Sequence, residues 1–175
     1  MFNGVWLVLL MIIFSCSEPD PRRPVSHHTD SFFEESVERN KNVNALEEAA
    51  IKYYIAQDSS KTYIASSSGF WYAYTKRKLK EGKRPVLGDE VVFNYEILNL
   101  RNEILYSYDA LGEVQYKIDN AEIELGLQSG LKIMKVGEEV SFLFPSHSAL
   151  GILGDKDKIG MNQPLIYRVQ LINLK

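Results

Sequence analysis

Pro85-Val86-Leu87-Gly88-Asp89-Glu90-Val91-Val92-Phe93-Asn94-Tyr95 is the stretch on which the fold turns. Gly88-Asp89 reads as a turn, and beyond it Val91, Phe93, Tyr95 and Ile97 recur at period two. Residues spaced in this way share one face of a strand, here over Glu90 to Leu98. The same alternation returns at the far end, where Leu165, Tyr167, Val169 and Leu171 lie on one side of a strand over Leu165 to Leu174. Between the two, Ile104 to Tyr108, Val114 to Ile118 and Val140 to Phe144 read as further strands. Asn120 can cap a short helix from Ala121 to about Gln128, ended near Gly130, with Ile123 and Leu127 four apart on one side. Strands, one short helix and then strands predict an α+β domain over 85–175, an antiparallel sheet wrapped on that helix.

Upstream, Thr62 to Ala65 and Phe70 to Tyr74 flank Ser66-Ser67-Ser68-Gly69, a hairpin with glycine near its turn. Asn44 to Gln57 is a helical candidate. Asn44 stands as N-cap with Glu47 three residues later, the spacing of a capping box, and Ala49, Ile51, Tyr53, Tyr54 and Ile55 give it an apolar side. Helix and hairpin make 44–84 an extension of the domain. Lys76 to Arg84 carries six basic residues in nine positions. With Gly82 inside it, Pro85 behind it and no aromatic interleaved, it reads as a solvated loop. Residues 17–43 hold Pro19, Pro21 and Pro24, mixed charges and few large aliphatics, and read as a flexible tether.

Met1 to Cys16 contains no Asp, Glu, Lys or Arg, and every residue from Val5 to Phe14 is apolar. That run is too short for a bilayer core, which takes roughly 20 residues, and has the length of a signal-peptide h-region. Ile13-Phe14-Ser15-Cys16 resembles a bacterial lipobox, in which the cysteine thiol takes a diacylglyceryl group and the chain is cut before it. Residues 1–16 are then a lipoprotein signal with Cys16 as the lipidated anchor. An ordinary secretory signal with a free cysteine, or a buried N-terminal helix, is the alternative.

Composition narrows the chemistry. Of 175 residues, 45% are hydrophobic and 25% charged, at a net charge of −3, which gives no reason to expect a nucleic-acid partner. Cys16 is the single cysteine and there are three histidines, so an intrachain disulfide and a thiolate-rich metal site are excluded and a His-based metal centre has little to draw on. No metal and no cofactor is expected.

Several stretches together resemble the FK506-binding-protein family of peptidyl-prolyl isomerases. Pro85 to Tyr95 is similar to the family's "P-x-x-G-D-x-V-x-x-x-Y". Ile123-Glu124-Leu125-Gly126-Leu127-Gln128-Ser129-Gly130-Leu131 is similar to "V-I-x-G-W-x-x-G-L". Met134 with Val136-Gly137-Glu138 and Phe144-Pro145, then Ala149-Leu150-Gly151, then Ile159 to Leu165, follow in the family's order and spacing. The lipobox, the helix and hairpin, Ile104-Leu105-Tyr106-Ser107 and Phe142 to Ser146 further resemble the gliding-motility-associated isomerase lipoproteins of the Bacteroidetes.

The resemblance implies a catalyst that breaks no bond. Rotation about an X–Pro amide meets a barrier of roughly 18–20 kcal/mol, because the planar group must give up its resonance. An apolar, water-poor cleft favours the twisted amide, and a few fixed donors hold the substrate carbonyl. The implied catalytic residues are Tyr95, Ile123, Glu124 (through its backbone N–H) and Tyr167. Leu105, Tyr106, Val114, Tyr116, Leu127, Leu150 and Ile159 would line the substrate cleft. The sequence departs from the family at Leu127, where Trp is usual, at Leu105 for Phe, at Tyr106 for Asp and at Leu150 for Tyr. Two functions follow. One is a lipid-anchored isomerase at the cell envelope, acting on proline-containing clients and linked to gliding motility. The other is a non-catalytic chaperone or assembly module of the gliding and secretion machinery on the same fold.

Overall fold

The strand over Glu90–Asn99 is the spine of the sheet, and both of its faces are covered. The computed structural model describes residues 29–79, 81–120, 123–151 and 153–175; the signal segment, Cys16 and the prolines of the expected tether lie outside them. The chain divides into two units, residues 1–36 and Val37–Lys175. Of the first, the described part is helical, with Ser36 Oγ donating to the Phe32 carbonyl at 2.7 Å.

Helix α1 spans Thr29–Gln57, so the expectation of a tether to residue 43 and a helix start at Asn44 is corrected. The physical reason is composition. All three tether prolines precede residue 29, and no Pro or Gly occurs from Val25 to Gln57 to interrupt a helix. Glu48 and Lys52 pair at 2.7 Å one turn apart on its exposed side.

Among the described residues seven strands follow: β1 Ile64–Ala65, β2 Trp71–Lys76, β3 Glu90–Asn99, β4 Ile104–Tyr106, β5 Val114–Lys117, β6 Glu139–Phe144 and β7 Leu165–Leu174. They form one antiparallel sheet in the order β1-β2-β6-β7-β3-β4, with β5 also paired to β3. Gly69 turns the β1–β2 hairpin at φ 80°, a left-handed conformation that glycine adopts without strain. A bulge at Val92/Phe93 shifts the register of β3 on β7.

Among the described residues two further α-helices are short: α2, Tyr108–Leu111, and α3, Leu125–Leu131. The strand expected to continue to Tyr108 stops at Tyr106, because Ser107 caps α2 by accepting from the Ala110 N–H. Nor does α3 begin at Ala121. The Asn120 N–H donates to the Lys117 carbonyl at 3.0 Å and closes a turn after β5, while extended Glu124 precedes the helix.

On one sheet face, Val91, Phe93, Ile97, Phe142, Phe144, Leu165, Tyr167, Val169 and Leu171 pack with Leu127 and Leu131 of α3. On the other, Ile51 of α1 packs with Leu98, Leu143 and Ile166. This double cover explains why Leu98 and Ile166, which alternation assigns to the outer face, are buried. Glu96 and Arg168, paired across β3 and β7, form a 2.8 Å ion pair.

Candidate active site

Helix α3 can lie on the sheet only because it lacks two side chains. A Cβ on Gly126 would stand 2.5 Å from the Ser148 carbonyl and 2.8 Å from the Phe144 ring, and one on Gly130 would stand 2.9 Å from Phe142. Phe142 and Phe144 stack at 5.4 Å with rings 5° from parallel. Phe144 meets Tyr167 edge-on at 5.2 Å. Tyr167 in turn stacks on Tyr95, which packs on Phe93 at 5.6 Å. Offset and edge-on pairs of this kind satisfy the ring quadrupoles, so the wall is rigid as well as apolar.

The polar atoms around this wall are few and fixed. Tyr167, fully buried, directs its hydroxyl at Glu124 Oε1, 3.5 Å away. Burial first, then the charge of Glu124, pushes the Tyr95 phenol up to about 12. The same two causes, with Tyr95 added, hold the Tyr167 phenol far above its ordinary value. At neutral pH both phenols keep their protons and are available as donors. Gln128 Nε2 donates to the Ile123 carbonyl at 2.7 Å. That carbonyl belongs to the peptide unit whose N–H is Glu124's, so the side chain of α3 fixes the orientation of the backbone donor that the family resemblance implies.

A second polar cluster joins β4 to the loop before β7. The Tyr106 hydroxyl donates to the Asp155 carboxylate and lies 3.4 Å from Asp157 Oδ2. Lys158 Nζ sits 4.7 Å from the centre of the same ring. The other oxygen of Asp155 accepts from the N–H groups of Asp157 (2.9 Å) and Ile159 (2.8 Å), which holds the 155–159 turn shut. The Tyr106 bond, foremost, holds the Asp155 carboxyl down at about 2, and in return the phenol is raised to about 12.

Ten of the expected site residues belong to the hydrophobic core of this sheet face, in two tiers, and Glu124 joins them through the Tyr167 hydroxyl. Tyr116, Leu127, Ile159 and Tyr167 are buried in it, whereas Tyr95, Leu105, Tyr106, Val114, Ile123 and Leu150 are half-buried against it. Tyr116 directs its hydroxyl to the Asn120 carbonyl. Cys16 lies outside the described residues. Sequence reasoning missed Asp155, Asp157 and Lys158; the available signal was the Gly154-Asp155 pair, since an Asp after Gly commonly folds back on the backbone of a turn. Among the described residues no cluster of His, Cys, Asp and Glu could hold a metal ion, and no helix is long and apolar enough to cross a membrane.

An apolar wall, protonated phenols and an oriented peptide N–H, with no nucleophile among them, can bind an extended peptide and strip water from an amide. Comparison with known proteins points the same way. The chain is 33% identical over 128 residues to a probable FKBP-type peptidyl-prolyl cis-trans isomerase, FkpA, of Neisseria meningitidis serogroup B. That match covers 73% of this chain and 44% of the relative, so the chain spans less than half of that protein. In fold it is similar to a peptidyl-prolyl cis-trans isomerase of Pseudomonas syringae pv. tomato, with a TM-score of 0.62, 19% identity and coverage of 77% of this chain and 95% of the other. It is likewise similar to FkpA of Escherichia coli, with a TM-score of 0.61, 20% identity and coverage of 100% and 83%. The sequence pattern of one family matches residues 81–172, more than half of the chain. With the α+β fold and this aromatic cluster in place, that match settles the family: the chain belongs to the FKBP-type peptidyl-prolyl cis-trans isomerases.

Proposed function

We propose that the chain is a prolyl cis-trans isomerase that receives proline-containing segments of polypeptide clients between Tyr95, Tyr167 and the opening of α3. One observation carries this reading: the stacked Tyr95 and Tyr167 reach Glu124 through the Tyr167 hydroxyl, beside the 123–124 peptide unit whose orientation Gln128 fixes. Such a site gives an X–Pro amide an apolar surround and one aligned donor, and the reaction needs nothing more. A protease-coupled assay of the full chain on a proline tetrapeptide tests it. Acceleration of the slow phase is the expected result, and a slow phase unchanged at micromolar protein would refute it.

The cellular setting is part of the proposal. Cys16, in its lipobox-like context, anchors the protein by two or three acyl chains, enough for stable membrane attachment where a single chain is marginal. The clients are then envelope or secreted proteins, and the resemblance to gliding-motility lipoproteins makes that apparatus a candidate consumer. Cys16→Ala should abolish incorporation of labelled palmitate, and equal labelling of the variant would remove the anchor.

Leu127 and Leu150 favour a second reading, a peptide-binding module with little turnover. Both stand where the family usually places an aromatic group with a polar handle. Peptide binding without acceleration of the slow phase would select it.

A further inference from the structure

Glu47 belongs to α1, outside the residues 81–172 that match the family, and is only 4% exposed. A carboxylate leaves water only where hydrogen bonds replace its hydration. Both of its oxygens have one. The Ser146 backbone N–H donates to Oε2 at 2.7 Å, and the Ser146 hydroxyl donates to Oε1 at 2.7 Å. Ser146 is itself buried and opens the 3-10 turn Ser146–Ser148 that follows β6. The residue expected to close a capping box with Asn44 thus binds a partner 99 positions away.

That turn serves the cleft twice. Its last carbonyl, of Ser148, is the atom against which Gly126 is packed, so it sets how closely the start of α3 approaches the sheet. The residues that follow it, Ala149 and Leu150, are half-buried against the core that holds Tyr167 and Leu127, and the Ala149 N–H is held by the Ser146 carbonyl at 3.2 Å. Any displacement of Ser146 moves both the wall at Leu150 and the helix that carries Gln128.

We infer that Glu47 is a positioning residue of the cleft, holding the Ser146–Ser148 turn so that Leu150 and the opening of α3 stand where a prolyl segment is received. The inference rests on the proposed isomerase reading. It makes α1 a working part of the site and not a spacer.

Without Glu47 the turn loses its two buried acceptors and samples other positions. A cleft that is competent for only a fraction of the time raises the apparent KM by the reciprocal of that fraction, while kcat of the bound complex holds. A role in stability alone behaves differently: the folded fraction falls, so Vmax drops and KM stays.

Full-length variants assayed on a proline tetrapeptide separate these outcomes. Glu47→Ala is expected to raise KM roughly tenfold with kcat within about twofold of the parent. Glu47→Gln should stay within about twofold in both, since its amide oxygen accepts from the Ser146 N–H while its NH2 donates to Ser146 Oγ. Ile51→Val, one turn along the same helix in the other apolar cluster, should leave KM unchanged. If Glu47→Ala does not fold, Ser146→Ala carries the test through a smaller rise in KM. An unchanged KM in the folded variant, or an equal rise in Ile51→Val, overturns the inference. A parent that turns over no tetrapeptide defeats the isomerase reading alone. The Kd of the same peptide, measured by NMR titration, then replaces KM and should rise in the same way; a Kd that does not rise overturns the inference, and a parent that binds no peptide overturns both.

Discussion

Tyr95 and Tyr167 stack with ring centroids 5.7 Å apart and planes inclined by 21°, yet only Tyr167 is fully buried. On the proposed function, the pair divides the work between holding the sheet together and meeting a ligand. Tyr167→Ala should cost roughly 3–5 kcal/mol in denaturant unfolding, as large-to-small core changes do. Tyr95→Phe should shift stability by less than about 1 kcal/mol while weakening peptide binding through the lost hydroxyl. A Tyr95→Phe variant that unfolds while its remaining native fraction binds peptide normally would place Tyr95 in the core and out of the cleft.

Gly126 and Gly130 should not be equally sensitive to alanine. The added methyl at Gly126 meets a backbone carbonyl, which cannot move without the Ser146–Ser148 turn, whereas at Gly130 it meets a ring edge. Overpacking costs about 1–3 kcal/mol, with Gly126→Ala expected at the upper end and Gly130→Ala at the lower. Equal denaturation midpoints for the two variants would contradict the close approach of α3 to Ser148.

The Tyr106–Asp155 bond predicts two limits of pH. Asp155 is depressed from 3.8 to about 2, so its contribution is complete above pH 4 and is lost as pH falls through 2. Tyr106 is raised from 10.0 to about 12, so its contribution is complete below pH 10 and is lost as pH rises through 12. Between these limits the cluster adds no pH dependence. In Tyr106→Phe the Asp155 carboxyl, followed by NMR, should titrate closer to 3.8; an unmoved titration would show that the backbone N–H groups of Asp157 and Ile159 suffice.

Leu150 and Leu127 separate the two functional readings, and burial makes them unequal. Leu150 is half-buried and can give way to Tyr, whereas Leu127, within α3, is fully buried against the core. Leu150→Tyr should raise kcat/KM by up to roughly tenfold, the worth of one recovered hydrogen bond. Leu127→Trp should destabilise by about 1–3 kcal/mol by overpacking. No gain from a folded Leu150→Tyr, as judged by near-UV circular dichroism, would mean that the cleft already holds its carbonyl by other groups.

The strands of the domain were legible because alternation is a one-dimensional signal. Val91, Phe93 and Ile97 on β3, and Leu165, Tyr167, Val169 and Leu171 on β7, all reach the face that the sequence indicates. Helix ends were not. The prolines at 19, 21 and 24 drew the tether across residues that contain no helix breaker, and Asn120 offered a plausible cap that the chain uses for a turn instead. Least legible were the polar partnerships, Glu47 with Ser146 and Tyr106 with Asp155. Each joins residues far apart in the sequence, and no local pattern records them. Glu47 even carries the spacing of a local role that it does not perform.

The order of the sheet bears on the company such a protein would keep. Its outer strands are short: β1, of two residues, at one end, and β4 and β5, of three and four, beside β3 at the other. A long exposed edge would offer a row of free N–H and C=O groups for a foreign strand to extend. A protein that handles unfolded chains meets many such strands. On the proposed function, short outer strands would let it hold a client by the proline without becoming the seed of an aggregate.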